Sequence, residues 1–353
     1  MQIVSFVLYL ILTVFLMGIL IFVHELGHYL TARLCGVTIL EFAIGMGKRI
    51  GGFTSKKTGI QYSIRLIPIG GYVAMAGEDE EVDDPNAFNK KNVWQRMLIL
   101  VAGAGMNVIT GFLAMLILTT GMTLSGYKLP TTVINEFSAG APSYVTGLEP
   151  GDRILSIDGV KVHTGYDLSY EITFNGYKPV DVVVERKGRK LLVPNVQFPT
   201  GVEEGIRLGS MDFNVYAAPS TVGNVLKTTY YRSISSIKMV FDSLGGLITG
   251  RFSITTMSGP IGVTSAVADV AQQPMAGWNI LYLFALIAMN LGVMNLLPIP
   301  ALDGGRLFFR ILEVLRFGKP VNPKLEARIH GAAMLILFAF MFLISAKDLF
   351  ALF

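Results

Sequence analysis

His24-Glu25-Leu26-Gly27-His28 is the stretch of this chain equipped to do chemistry. Positions i and i+4 of an α-helix share a face, so His24 and His28 can reach one ion together through bonds of about 2.0 to 2.1 Å. Glu25 is too near His24 in sequence to complete that chelate. It is placed instead to act on a water at the metal, as the general base of a metal-assisted hydrolysis. The same five residues could fall by chance on a soluble helix, with both histidines at its surface. Here they close the run from residue 3 to 23, where Ser5, Tyr9, Thr13 and Gly18 are the only interruptions among aliphatic, Phe and Met side chains. About 20 such residues span a bilayer as a helix. Ionisable groups at that depth are costly, and their presence there is a signal of function.

A catalytic zinc site takes three protein ligands and keeps one position open. The third donor is sought where another apolar segment is interrupted. Residues 277 to 297 are apolar and end at Pro298-Ile299-Pro300, followed by Ala301-Leu302-Asp303-Gly304-Gly305. Proline withdraws backbone donors, so a break at this depth marks protein interior or a wet cavity. Asp303 supplies an anion there and is the expected third ligand; the alternative is a plain helix cap for the segment beginning at Gly304. His330 competes, but it stands among basic residues with no second donor nearby. Cys35, the single cysteine, reads as interfacial and excludes an internal disulfide framework.

These residues need spans to carry them. Apolar residues make up 52% of the 353 and charged ones 15%, with a mean hydropathy of +0.55, which places part of the chain in lipid. Four spans are expected: 3 to 34, 97 to 124, 277 to 297, and 331 to 346 with the tail to Phe353. Nine basic residues lie between Arg33 and Arg96, against none before the first span. The excess puts that loop in the cytoplasm, both termini outside, and the histidines toward the cytoplasmic face. Within the loop, 42 to 47, 60 to 69 and 72 to 75 read as short strands close to the membrane, and Glu78 to Asp84 as a solvated acidic loop. In the second span, Gly103-Ala104-Gly105-Met106-Asn107 lets another helix approach closely, and Asn107 is either interhelical glue or a substrate contact.

From 126 to about 200 the chain turns β-rich. Residues 181 to 186 and 190 to 193 flank Lys187-Gly188-Arg189 as a hairpin, and a helix is expected near Tyr166 to Phe174. His163 reads as a surface residue outside any metal site. Gly147 to Gly159, GLEPGDRILSIDG, resembles the signature turn and strand of a PDZ domain, a module that takes an extended peptide onto a sheet edge. Residues 201 to 276 form a connecting region. In it, 221 to 247 reads as an amphipathic helix on the membrane surface, and 257 to 262 as a tight turn. The expected fold class is a multi-pass α-helical membrane protein of about four spans, with a membrane-associated β-hairpin region and an inserted PDZ domain. The metalloprotease core falls in two halves, 1 to 125 and 277 to 353.

Taken together, His24 to His28, Asn295-Leu296-Leu297-Pro298-Ile299-Pro300-Ala301-Leu302-Asp303-Gly304, Gly70-Gly71-Tyr72 and the PDZ-like insert resemble the bacterial site-2 protease family of intramembrane zinc metalloproteases. The resemblance covers most of the chain and is thinnest over 200 to 256. It implies one Zn2+ per chain on His24, His28 and Asp303, with Glu25 activating water and Asn295 and Asn107 holding substrate. Ala104 stands where the family usually has proline, so the local shape and the role of Asn107 are less firmly implied. The implied reaction is hydrolysis of peptide bonds in or near transmembrane segments, after a first cut by an upstream site-1 type protease. Anti-sigma factors, remnant signal peptides and peptide pheromone precursors all suit as substrates. The expected setting is the bacterial inner membrane with the PDZ domain outside; lipid is a partner and nucleic acid is not. A metal or proton transporter would also bury His, Glu and Asp, but no inverted repeat is visible. A silent PDZ scaffold would have no use for all four site residues.

Overall fold

The opening apolar run is helical without a break through both histidines, as α1, Ile3–Leu34. The computed structural model describes residues 3–78, 82–203 and 205–350, so the expected acidic loop lies partly outside the described residues, at 79–81. Two units are distinguished, Met1–Gly111 with Met257–Phe353, and Phe112–Thr256.

The strands expected in the first loop are β1, Ile39–Thr54, and β2, Gln61–Met75. Two of their pairings are antiparallel, 51 to 54 with 61 to 64 and 41 to 44 with 71 to 74, and in a third 41 to 44 run in the same direction as 61 to 64. Residues 51 to 54 form a hairpin with 61 to 64, and 41 to 44 lie between 61 to 64 on one side and 71 to 74 on the other. Two bent strands thereby make a sheet four strands wide, with residues 71 to 75 along one edge. Tyr29, Phe42, Tyr62, Val73, Ile99 and their neighbours pack it against the C-terminal half of α1. Next comes α2, Val93–Leu124, starting four residues earlier than expected because Asn92 caps it through Gln95 N–H at 2.8 Å.

The second unit holds β3, Leu129–Phe137; α3, Pro142–Val145; β4, Arg153–Ile157; β5, Val160–Lys161; and α4, Gly165–Asn175. It continues with β6, Val180–Arg186; β7, Arg189–Val196; β8, Thr200–Glu203; β9, Ile206–Gly209; β10, Phe213–Ala218; and α5, Val222–Ile248. One antiparallel sheet runs β10-β3-β4-β6-β7, with β5 on β4. Its sealed aliphatic core includes Ile134, Leu148, Ile154, Leu168, Ile172 and Val182. The expected helix near 166 to 174 is α4, begun by a Thr164/Asp167 capping box. The expected boundary at 200 falls inside this unit, since β10 joins the sheet beyond it.

The amphipathic helix at 221 to 247 is α5, and two of its cations are held by α4. Lys238 pairs with Glu171 of α4 at 3.0 Å, and Arg232 lies 4.2 Å over the Tyr166 ring. Thr228, Thr229, Ser233 and Ser236 are buried while Val222, Leu226, Tyr230, Ile234, Phe241 and Ile248 are exposed. His163 is half-buried and no simple surface residue, its ring lying tilted against that of Tyr231 with centroids 3.9 Å apart.

The first unit resumes with α6, Pro260–Gln272; α7, Ala276–Leu296; α8, Asp303–Leu315; and α9, Pro323–Phe350. The expected turn at 257 to 262 is instead the start of a helix, with Pro260 in its first turn. Asp348 takes the place of a local cap, accepting from Gly259 N–H at 2.7 Å and Gly262 N–H at 3.1 Å. Among the described residues four helices can cross a membrane by length and composition: Ser5–Leu34, Val93–Leu124, Ala276–Leu296 and Lys324–Phe350.

Candidate metal centre

The site is built where α1 and α2 touch. A Cβ on Gly27 would stand 2.4 Å from the Ala102 carbonyl oxygen, and one on Gly103 would stand 2.3 Å from His28 Nε2. Only glycine at both positions lets the helices approach this closely and leaves the imidazole its space. His28 Nδ1 then lies 2.8 Å from the Ile99 carbonyl oxygen. A carbonyl only accepts, so Nδ1 carries the proton and the Nε2 lone pair faces inward.

Asp303 comes from the first residue of α8, immediately after the break that follows α7. Leu302 is the N-cap, so Asp303 is free of the capping duty it might have had. Its Oδ2 lies 3.0 Å from His24 Nε2 and 3.2 Å from His28 Nε2. The two Nε2 atoms are 3.1 Å apart. Tetrahedral ligands bound at 2.0 to 2.1 Å stand about 3.3 Å from one another, so three donors at these separations are spaced to share one zinc. Among the described residues, Asp303 Oδ2 is buried without a hydrogen-bond donor of its own.

The other candidates fall into place around this triad. Glu25 is outside it and accepts a hydrogen bond from the Val73 backbone N–H on the edge of the β1–β2 sheet. Asn107 and Asn295 both border His24, with Nδ2 atoms 3.3 and 3.4 Å from its Nδ1. Asn107 is fully buried and its Oδ1 has no partner. Turning that amide over presents Oδ1 to a protonated Nδ1, the tautomer that leaves His24 Nε2 for a metal. His330 is not in the cluster: its Nδ1 accepts from Ala301 N–H at 3.0 Å. Ala301 has φ +80°, so this bond holds the break in a left-handed turn just before Asp303. Cys35 is also outside the cluster.

Sequence reasoning missed Glu41. It accepts from Ser63, from Arg65 Nη2 at 2.8 and 2.9 Å, from Gln61 at 3.2 Å and from Tyr72 at 2.7 Å. Burial works against the charge, but these donors together bring its carboxyl down to about 2. Burial and the same carboxylate push the Tyr72 hydroxyl up to about 12. The signal was the alternation Gln61, Ser63, Arg65, which puts three donors on one face of a strand. An apolar cavity of about 380 Å3 adjoins this sheet, lined by Phe22, Leu26, Tyr29, Phe42, Phe53 and Tyr62 among others.

A family model described as peptidase family M50 matches residues 12–344. Proteins bearing zinc-metalloprotease names are similar over nearly their whole length. One from Clostridium acetobutylicum is 34% identical, over 96% of each chain. Another from Fusobacterium nucleatum is 34% identical, over 97% of this chain and 99% of its own. The regulator of sigma-W protease RasP of Bacillus subtilis is 29% identical, over 96% of this chain and 98% of its own.

Proposed function

The chain belongs to peptidase family M50, and from that premise we propose that it hydrolyses peptide bonds in or next to transmembrane segments. It is an integral membrane zinc metalloprotease. The observation that carries the reading is the triad of His24 Nε2, His28 Nε2 and Asp303 Oδ2, mutually 3.0 to 3.2 Å apart, with Glu25 one residue from His24. These three residues would hold zinc, which when bound supplies a Lewis acid for the scissile carbonyl and lowers the pKa of water.

A helical substrate hides its carbonyls in its own hydrogen bonds and must be unwound before attack. Residues 71 to 75 are the outer strand of the sheet beside Glu25, which takes the Val73 N–H, and a substrate strand added along the rest of that edge would regain the bonds it lost. The apolar cavity over the sheet would take a large apolar side chain. Glu25 takes the proton of the attacking water and returns it to the leaving amine. Asn107 and Asn295 brace His24 and present amides to the strand. The residues from Phe112 to Thr256 would include a PDZ domain outside the membrane, admitting substrates already shortened by another protease. That reading rests on the motif at 147 to 159 and on a six-stranded sheet with α4 packed on β3 and β4. Anti-sigma factors are the first substrate class to try, given the name of the Bacillus relative; remnant signal peptides are the second.

The test is cleavage of single-span model substrates, with and without a bulky outer domain, by wild type and Glu25→Gln in detergent or lipid. Cutting inside the span by wild type alone, stopped by a zinc chelator, is expected. Equal cutting by Glu25→Gln removes Glu25 from the mechanism. Deleting 127 to 218, so that β10 leaves with the rest of its sheet, should loosen selectivity for trimmed substrates, and unchanged selectivity rejects the filter.

A further inference from the structure

The helix that carries Asp303 is built inside out. Phe308, Ile311 and Leu315 of α8 are exposed, whereas Glu313 is only 5% exposed. Asp303, Arg306, Arg310 and Glu313 fall within an arc of about 80° at 3.6 residues per turn. Each is bound to a different part of the first unit. Asp303 faces His24 and His28 of α1. Arg306 pairs with Glu78, which follows β2. Arg310 pairs with Glu326 of α9, and also with Glu313 at 3.1 Å. Glu313 closes the series on the buried Arg96 of α2 at 2.6 Å. The ladder runs ten steps along α8, from Asp303 to Glu313, about 15 Å of helix axis.

Charges that face inward beneath an apolar outer face are what a helix in contact with lipid requires. Solubility therefore does not account for them, and neither does the hydrolysis, since the partners of the three lower rungs, Glu78, Glu326 and Arg96, lie outside the triad. We propose that Arg306, Arg310 and Glu313 are positioning residues that fix α8, and with it the Asp303 carboxylate, against the two histidines. The proposal rests on the metal-site reading of His24, His28 and Asp303. A ligand entering from the first turn of a helix moves with the whole helix, so slack at any rung reaches the site. The tightness of zinc binding is then set partly at Glu313, far from the metal.

The test follows zinc release from the full-length protein in detergent after addition of excess chelator, beside its thermal unfolding. Arg306→Met, Arg310→Met and Glu313→Gln should each release zinc about tenfold faster than wild type, the scale of other supporting contacts around metals. Arg310→Lys, which keeps the charge, should restore slow release. If Glu313→Gln does not fold, the more exposed Arg306→Met carries the test. Wild-type release from variants that unfold at lower temperature would mean the ladder supports the fold alone and overturns the proposal. A wild type that holds no zinc, or a His24→Ala variant that holds it equally well, overturns the metal reading and this proposal with it. Zinc held in a His24-dependent way but released at the wild-type rate by every ladder variant overturns this proposal only.

Discussion

Glu41 and Asp303 are two carboxylates of one unit, with side chains 14% and 22% exposed, and the protein treats them in opposite ways. Glu41 is saturated with donors from Ser63, Arg65, Gln61 and Tyr72. Asp303 Oδ2 has been given none, only two imidazole nitrogens with lone pairs to share. A carboxylate satisfied by the protein is part of the fold. One left short among histidines is completed by something the protein binds.

Asp303→Asn should break the comparison most severely, abolishing both zinc content and cleavage, because a neutral amide replaces the anionic ligand. Glu25→Gln should keep zinc and lower kcat by about 10² to 10⁴, the usual worth of a general base; metal analysis beside turnover separates the two. Asn107→Leu, which takes away the bond to His24 without touching the triad, should weaken zinc by about 10- to 100-fold in a chelator competition. Glu41→Gln should be mildest at the site, leaving zinc in place while costing about 1 to 3 kcal/mol of stability through stranded donors. It should also change the acid response. The Glu41 carboxyl sits at about 2 against an ordinary 4.5, so its contribution is full above about 4.5 and is lost as pH falls toward 2. Thermal unfolding followed down to pH 3 should therefore fall less steeply in Glu41→Gln than in wild type.

Much of this was legible in the residues. The i, i+4 spacing fixes His24 and His28 on one face, and Pro298-Ile299-Pro300 fixes the break between α7 and α8. What stayed hidden depends on contacts between distant segments. Pro260 looks like a turn until Asp348, 88 residues on, caps the helix it starts. Arg232 and Lys238 read as two cations of an amphipathic helix, and only the fold shows that the Tyr166, Tyr170 and Glu171 face of α4 receives them. His330 and Asp303 both looked able to complete the site. Only the backbone N–H of Ala301, held in a left-handed turn, shows how His330 is occupied.

The most direct measurement is zinc per chain in purified wild type, Glu41→Gln and Asp303→Asn, each shown to be folded. The account predicts one zinc in the first two and none in the third. Zinc retained by folded Asp303→Asn, or lost from folded Glu41→Gln, would contradict it.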